Sequence, residues 1–362
     1  MVNPAPVTII GAGNSGLAMA AHLSLNGHPV CLWNRSLKTL ENIISEGQGS
    51  ILAEGVVNGN AKIDLITGDI EKAVNFSRII MVTTPADAHS NISMLSAPYL
   101  KKDHIVILNP GRCFGAIDFL KKLSDKNCKD LPTVAETQTI LYTCRKMPPN
   151  RSLILALKKK VLISSTNFKN TMKVMENLPD CIRPYFHPAG SLLETSLGNV
   201  GMILHCLPVL MNVGWIENKK TSFKYYYDGI TPSIAKLLEK IDNERLDVAR
   251  HLGLTVPSLS AWLEVTYGVS GESLYDKIQG VESYRTIEAL DTLEHRYLLE
   301  DIPFGLVPIE DIGKQIGLTM KITTLIIELA NEIFGFDFRD KGRTLKSLGI
   351  SLSDLILWNK NE

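Results

Sequence analysis

The sequence predicts two domains, an N-terminal α/β domain built on a parallel sheet and a mostly α-helical C-terminal domain. The chain has 362 residues, more than one domain usually holds. Up to about residue 184, short apolar runs typical of strands alternate with helical patterns, as in a parallel sheet covered by helices. Beyond that point only helical periods follow. We therefore assign residues 1–186 to the first domain and 187–362 to the second.

Four short apolar runs in the first half predict strands. They cover residues 7–10, 29–33, 78–83 and 105–108. Residues 17–26 and 36–46 have helical spacing, and Gly27 ends the first of these two helices. Further strands are expected between residues 133 and 165, of which 161–164 is the clearest.

Helical periods dominate the second half of the chain. They cover residues 191–216, 232–251, 257–267, 309–314 and 320–334, with no convincing strand among them. Residues 200–216 form an apolar run of about 17 residues, which is at the short limit for a membrane span. Because this run contains His205, Pro208 and Asn212, we interpret it as part of a buried core helix.

Composition and charge exclude several classes of protein. Lys and Arg together number 38, as do Asp and Glu, so the net charge is zero and no nucleic-acid or membrane partner is expected. The six cysteines are scattered without a C-x-x-C pair, which favours reduced thiols. No basic stretch followed by an apolar one opens the chain, so we expect no signal peptide and a cytoplasmic location. The histidines lack metal-ligand spacing, and we expect no metal.

A glycine-rich turn follows the first predicted strand. Gly11, Gly13 and Gly16 form the pattern G-x-G-x-x-G, with a strand before it and a helix after it. Gly11 permits the tight turn, Gly13 lets the backbone approach a pyrophosphate, and Gly16 allows close helix–strand packing. Asn14 and Ser15 complete the expected cofactor contacts. The first domain is therefore predicted to be a Rossmann-type dinucleotide-binding domain.

The end of the second strand indicates which dinucleotide binds. A carboxylate there usually holds the ribose of NAD, but the sequence has Asn34, Arg35 and Ser36. Asn34 can still bond a hydroxyl, while Arg35 and Ser36 could hold a 2′-phosphate. We therefore predict NADP(H) as the preferred cofactor and NAD(H) as the alternative. Arg35 could instead be a solvated surface charge without a role in cofactor binding.

Later strands end in residues suited to the nicotinamide side of the cofactor. Thr83, Thr84 and Pro85 end one strand, and Asn109 ends the next. Because the carboxyl ends of parallel strands meet at one edge of the sheet, these residues are expected near the nicotinamide and its ribose. Their presence favours a nicotinamide dinucleotide over FAD.

A histidine in the second domain is the first candidate for catalysis. Gly201 and His205 are four residues apart on a predicted helix and share a face, so the glycine would leave a hollow beside the imidazole for a substrate. Taken alone, a histidine on so apolar a helix is better interpreted as a core histidine. The segment 294–305, which is dense in ionisable groups and ends in Pro and Gly, favours a site.

Taken together, these segments resemble the octopine/nopaline-type opine dehydrogenases. The segments that carry the resemblance are 11–16, 109–112, 136–139, 142–145, 198–201 with His205, 228–230 with Pro232, and 295–298 with 300–301 and 303–305. The resemblance implies a Rossmann-type domain followed by a helical domain. It also implies NAD(P)H-dependent reductive condensation of an amino acid with a 2-oxo acid, such as pyruvate or 2-oxoglutarate.

The resemblance also implies roles for individual residues. His205 is similar to the family's catalytic histidine, Asp301 to its partner, and Arg296 to the arginine that contacts a substrate carboxylate. We expect His205 and Asp301 to form a hydrogen-bonded pair at the domain interface, with the carboxylate raising the pKa of the imidazole. Glu136 could hold the incoming ammonium or orient the nicotinamide, or it could simply be a polar residue that ends a strand.

Two other classes of function remain as alternatives. The first is another two-domain NADP-dependent reductase, of the ketopantoate or glycerol-3-phosphate type, which would need a catalytic lysine on a second-domain helix. Lys219 and Lys220 lie beyond the apolar part of the relevant helix. The second is a non-catalytic dinucleotide sensor, which would have lost His205 or Asp301. The amino acid and the oxo acid stay open, as does assembly into a homodimer.

Overall fold

The computed structural model describes residues 4–218 and 220–360, with side chains described up to residue 356. Lys219, considered above as a possible catalytic lysine, and residues 1–3 lie outside the described residues. The chain forms two compact units. The first unit contains the residues up to Gly111 together with Gly115–Leu192, and the second contains Arg112–Phe114 together with the residues from Leu193 onward.

The first unit is built on strands from its whole length. In chain order they are β1 (Val7–Ile10), β2 (Val30–Trp33), β3 (Ser50–Gly55), β4 (Gly59–Lys62), β5 (Leu65–Thr67), β6 (Ile79–Val82), β7 (Ile105–Leu108), β8 (Thr133–Thr137), β9 (Tyr142–Met147), β10 (Arg151–Leu157), β11 (Val161–Ser165) and β12 (Phe186–Pro188). Eight of them form one sheet in the order β12-β11-β8-β7-β6-β1-β2-β5. Neighbours in this sheet are parallel except β8 and β11, which are antiparallel.

Helices connect the strands of the first unit. They are α1 (Asn14–Leu25), α2 (Leu37–Ser45), α3 (Ile70–Phe76), α4 (His89–Ser96), α5 (Gly115–Asp125) and α6 (Phe168–Asn177). The central strands β1, β2, β6 and β7 are buried along their full length. This burial explains why they read as continuous apolar runs, because a parallel sheet with helices on its faces exposes neither side. The predicted parallel α/β architecture is confirmed.

A second, four-stranded sheet was not predicted. Its order is β4-β3-β10-β9. Strand β4 consists of glycine, asparagine, alanine and lysine, and β3 has only Ile51 and Leu52 as larger apolar residues, so neither shows the run of β-branched and aromatic residues that indicates a strand. Strand β9 lies along α1: the Tyr142 hydroxyl is 3.0 Å from His22 Nδ1, and the Lys146 N–H donates to Asn14 Oδ1 at 2.7 Å.

The second unit contains helices, as predicted. They are α7 (Leu192–Leu197, beginning at the unit boundary), α8 (Gly201–Met211), α9 (Val213–Glu217), α10 (Pro232–His251), α11 (Leu259–Tyr267), α12 (Leu274–Gly280), α13 (Arg296–Leu299), α14 (Val307–Gln315), α15 (Lys321–Phe334), α16 (Leu345–Leu348) and α17 (Leu352–Lys360). A π-helical turn, Ile302–Leu306, joins α13 to α14.

Two expectations near the start of the helical region were wrong in detail. The chain after residue 184 still contributes a strand, because β12 pairs with β11 in parallel. This strand has three residues and ends in proline, so it carries no alternating pattern. The predicted helix over 191–216 is three helices, since α8 starts anew where the Gly201 N–H donates to Asn199 Oδ1 at 2.8 Å.

The apolar stretch Leu192–Met211 is long and apolar enough to cross a membrane by length and composition. In the structure, 83% of its most apolar window is buried within the protein. Helix α8 contributes eight buried residues to this stretch. The burial agrees with the interpretation of this segment as core.

Candidate active site

The glycine-rich turn has the shape that a dinucleotide requires. Gly11 has a φ of 112°, and a Cβ atom there would lie 2.9 Å from Thr84 Cγ2. A Cβ atom on Gly16 would lie 1.8 Å from the Gly11 carbonyl oxygen, so α1 begins directly against the turn. A Cβ atom on Gly13, by contrast, would have no neighbour within 4 Å. The open space at Gly13, at the N-terminus of α1, fits a pyrophosphate.

Two predicted cofactor residues hold the turn in place. The Thr83 hydroxyl donates to the carbonyl oxygens of Ile10 and Gly11, at 3.1 Å each. Asn34 Oδ1 accepts the Ala12 N–H at 3.1 Å, and its amide nitrogen donates to the Ser36 carbonyl at 3.1 Å. The polar atoms of Thr83 and Asn34 therefore shape the turn.

Other predicted cofactor residues surround the same turn. The Thr84 hydroxyl is buried and has no hydrogen-bond partner within residues 4–218 and 220–360, so it can bond to a bound molecule. Ser15 is half-buried in the first turn of α1, and Pro85 is exposed at the end of β6. Arg35 and Ser36 are exposed, and Arg35 forms no ion pair with any residue that the structure describes.

Asn109 and Glu136 lie in the interior of the first unit. The Asn109 amide nitrogen donates to the Ile107 carbonyl at 3.3 Å, and its oxygen accepts the Thr137 hydroxyl at 3.4 Å. Glu136 is fully buried, and its Oε2 accepts the Ala116 N–H at 2.9 Å in the first turn of α5. This contact favours the structural interpretation of Glu136, because a carboxylate at a helix N-terminus stabilises that helix.

His205 and Asp301 are hydrogen-bonded in the second unit. Nδ1 of His205 lies 2.7 Å from Oδ2 of Asp301. The Asp301 side chain is fully buried, whereas that of His205 is 12% exposed. The imidazole also stacks on the Tyr297 ring, with centroids 3.7 Å apart and planes 4° from parallel. The expected pair is present, and two independent contacts fix the plane of the ring.

Arg112 and Glu300 complete this cluster, and neither was predicted as a site residue. Arg112 Nε and Nη2 donate to the two carboxylate oxygens of Glu300 at 3.1 and 3.2 Å. Arg112 Nη1 lies 2.8 Å from Asp301 Oδ1. No local pattern could reveal a pairing of residues 188 positions apart. The available signals were that Arg112 falls in one of the resemblance segments and that Glu300 precedes Asp301.

The surroundings of Gly201 differ from the expectation. A Cβ atom on Gly201 would lie 2.8 Å from Arg112 Nη1 and 3.6 Å from His205 Cε1. The space beside the glycine is therefore used by the arginine, and the expected hollow for a substrate is not there. Gly201 is needed because a larger residue would displace the guanidinium.

Arg296 lies at the edge of the same cluster. Its Nη1 is 3.6 Å from Glu300 Oε2, and its guanidinium carbon is 5.0 Å from the centre of the Tyr297 ring. The Arg296 side chain is 37% exposed, against 6% for Arg112. Arg296 is therefore the arginine of this cluster that a ligand from solvent can reach.

The pKa of His205 contradicts the expected upward shift. Burial lowers this pKa from 6.5 to about 4, although Asp301 acts in the opposite direction. The positive charges of Arg296 and Arg112 lower it further. The expected effect of the carboxylate is present, but burial of the ring outweighs it.

Two parts of the chain match known protein families. Residues 188–334 match the family described as NAD/NADP octopine/nopaline dehydrogenase, alpha-helical domain. Residues 6–136 match the NAD-dependent glycerol-3-phosphate dehydrogenase N-terminus. The chain is 34% identical to an opine dehydrogenase of Arthrobacter sp. (strain 1C), over 97% of each chain. It is also 23% identical to the octopine dehydrogenase of Pecten maximus, over 92% of this chain and 91% of that one.

Solved structures have the same fold. Octopine dehydrogenase with NADH and L-arginine, and with NADH and pyruvate, matches with TM-scores of 0.76 and 0.75, each at 20% identity and 99% coverage of both chains. Yersinopine dehydrogenase with NADP⁺ matches with a TM-score of 0.75 at 16% identity, over 99% of both chains.

Proposed function

The chain belongs to the opine dehydrogenase family, and on that basis we propose how its residues share the work of catalysis. The enzyme is an NAD(P)-dependent oxidoreductase acting on CH–NH donors. It carries out the reductive condensation of an amino acid with a 2-oxo acid to an N-(carboxyalkyl) amino acid, and the reverse reaction. The observation that carries the proposal is the 2.7 Å contact between His205 and Asp301.

We assign the proton transfers to His205. Because its pKa is lowered to about 4, the imidazole is neutral near pH 7. A neutral ring can take a proton from the ammonium group of the amino acid, which frees the amine to attack the 2-oxo carbon. The imidazolium can then give that proton to the carbinolamine hydroxyl, which leaves as water. His205 thus acts first as a base and then as an acid.

Asp301 sets the orientation and tautomer of His205. Its carboxylate is an acceptor, so the imidazole is assigned as donating Nδ1–H, which leaves the lone pair on Nε2. The lone pair is then the proton acceptor for the substrate. Once His205 is protonated, the negative charge of Asp301 stabilises the imidazolium. Stacking on Tyr297 keeps the ring in the plane that both steps require.

Arg296 is proposed to bind a substrate carboxylate. Its guanidinium offers a planar set of donors that matches a carboxylate in a bidentate arrangement. Its only ion pair within the described residues is the 3.6 Å contact with Glu300, and its side chain is partly exposed. An oxo acid held by Arg296 would be oriented in the same cluster that contains His205.

The glycine-rich turn is proposed to hold the cofactor. The open space at Gly13 and the unpartnered hydroxyl of Thr84 fit the pyrophosphate and the nearby parts of a dinucleotide. When bound, NAD(P)H supplies the hydride that reduces the carbon–nitrogen double bond. We further propose a preference for NADP(H), because Arg35 and Ser36 are exposed at the end of β2, where no carboxylate is present.

The substrates are an amino acid and a 2-oxo acid, and the enzyme is proposed to be cytoplasmic. Solved octopine dehydrogenase complexes contain L-arginine or pyruvate, which supports both substrate classes for this chain. Burial of the Leu192–Met211 stretch supports the proposal that it serves as core. The zero net charge and the scattered cysteines fit a cytoplasmic protein.

Cosubstrate dependence tests the function. NADPH oxidation is followed with pyruvate or 2-oxoglutarate, with an amino acid panel, and with both together. We expect oxidation only with both. Oxidation by the oxo acid alone would indicate a ketopantoate-type reductase instead. Cofactor binding without turnover across the panel would indicate a sensor.

A further inference from the structure

We propose that Arg112 is a positioning residue of this enzyme: its guanidinium holds Glu300 by two hydrogen bonds, forms an ion pair with Asp301, and thereby keeps His205 correctly oriented and uncharged in the resting state. The inference rests on the proposed acid–base role of His205. In this role Arg112 does not contact the substrate. Arg112 affects His205 indirectly, through Asp301.

The geometry of Arg112 carries the proposal. Its guanidinium divides between two adjacent acidic residues, with Nε and Nη2 on Glu300 and Nη1 at 2.8 Å from Asp301 Oδ1. The side chains of Arg112, Glu300 and Asp301 are 6%, 4% and 0% exposed. Two neighbouring carboxylates at such burial repel each other, and a paired cation offsets that cost. Arg112 therefore allows Asp301 to face His205 as a carboxylate.

The backbone at Arg112 has an unusual conformation that neighbouring hydrogen bonds hold in place. Arg112 has a φ of 58°, a left-handed conformation that residues other than glycine rarely adopt. Such a conformation persists only where its surroundings fix it. Two hydrogen bonds fix the chain here: the Cys113 N–H donates to the Phe304 carbonyl at 2.9 Å, and the Phe114 N–H donates to Ser196 Oγ at 2.9 Å.

The charges around His205 show what removing Arg112 would do. Asp301 and Glu300 are the acidic groups of the cluster, and Arg112 and Arg296 are the basic ones. Among the residues that the structure describes, the other groups in contact with the ring or its backbone are uncharged: Tyr297 stacks on the ring, Tyr225 donates to the His205 carbonyl, and the Cys206 thiol donates to the Tyr297 carbonyl. Loss of Arg112 would leave one net negative charge, which favours protonation of His205.

The test is the pH dependence of kcat/KM in Arg112→Gln, which removes the charge and the bidentate contact. We expect its acidic limb to move to higher pH by about one unit or more, the typical effect of a neighbouring charge, together with a loss of kcat. An NMR titration of His205 should show the same displacement. Arg245→Gln is the matched control, since Arg245 is equally buried in the second unit and pairs with Asp242. It should leave the limb in place.

The position of the acidic limb in the pH profile of kcat/KM does not depend on the amount of folded enzyme. A destabilised variant is therefore still informative. If Arg112→Gln yields no folded protein, Gly201→Ala replaces it, because the added Cβ would lie 2.8 Å from Arg112 Nη1 and displace it. A limb and an NMR midpoint that match wild type in the folded variant would overturn the inference. Wild-type turnover in His205→Ala would instead contradict the proposed function, so the two failures are distinguishable.

Discussion

Nδ1 of His205 lies 2.7 Å from Oδ2 of Asp301, although 96 positions separate the two residues. His205 is in the middle of α8, and Asp301 directly precedes the π-helical turn Ile302–Leu306. Helices α8 and α13 pack together, and the Cys206 thiol donates to the Tyr297 carbonyl at 3.4 Å. The pair is thus fixed by the packing of helices within the second unit.

Asp301→Asn should reduce turnover less than removal of the histidine does. Asparagine keeps an oxygen that can accept the Nδ1–H of His205, but it lacks the charge that stabilises the imidazolium. We expect a loss smaller than the roughly 10²–10⁴-fold typical of losing a general acid–base group. The measurement is kcat with saturating substrates, and Asp242→Asn serves as a buried-carboxylate control. A loss as large as that of His205→Ala would contradict this division of roles.

The pH profile should reflect a histidine with a depressed pKa. Burial lowers the pKa of His205 to about 4, so the neutral form predominates at every higher pH. Protonation below that value removes the base, and kcat/KM should therefore fall as the pH decreases toward 4 and show no His205 step between pH 6 and 8. A kinetic step near 6.5 that disappears in His205→Asn would show that the pKa is not depressed.

Arg296→Lys should impair use of the oxo acid. An ammonium cannot reproduce the bidentate contact of a guanidinium with a carboxylate, so KM for the oxo acid should rise by about 10-fold, equivalent to roughly 1.4 kcal/mol. KM for NADPH should hardly change. Arg285→Lys is the control, because Arg285 is an exposed arginine of the same unit that pairs with Glu282. Equal increases in KM for the oxo acid in the two variants would argue against a carboxylate contact at Arg296.

Arg35→Ala should separate the two nicotinamide cofactors. If Arg35 contacts the 2′-phosphate, KM for NADPH should rise by at least about 10-fold, a typical value for a lost charge-assisted contact, while KM for NADH stays nearly constant. Arg78→Ala is the control, since Arg78 is an exposed arginine of the first unit that pairs with Asp103. Parallel losses for NADPH and NADH would show that Arg35 does not recognise the 2′-phosphate.

Local pattern was sufficient to predict the parallel sheet and the glycine-rich turn. The residues of β1 and β7 were predicted at their observed bounds, because fully buried strands give uninterrupted apolar runs. The roles of Gly11 and Gly16 follow from the strand–turn–helix context, and the close approach of Gly16 to the Gly11 carbonyl agrees with it. The strands β3 and β4 were not predicted because neither has a run of β-branched and aromatic residues.

The site was harder to predict from the sequence, because its contacts and pKa shifts depend on how distant parts of the chain pack together. The contact of Arg112 with Glu300 joins distant parts of the chain, and neither residue carries a local signal of the pairing. The direction of the His205 pKa shift was wrong because the sequence shows an acidic partner but does not show how deeply the ring is buried. Gly201 was expected to border a hollow, and only the structure shows the guanidinium there.

The acid–base role of His205 is tested most directly by the turnover of His205→Ala with NADPH, an amino acid and a 2-oxo acid at saturating concentrations. The dissociation constant of the cofactor is measured alongside by fluorescence. We predict a fall in kcat of roughly 10²–10⁴-fold, the usual share of general acid–base catalysis. The dissociation constant should stay near that of wild type, because the glycine-rich turn is untouched. A folded His205→Ala enzyme with wild-type turnover would contradict the account.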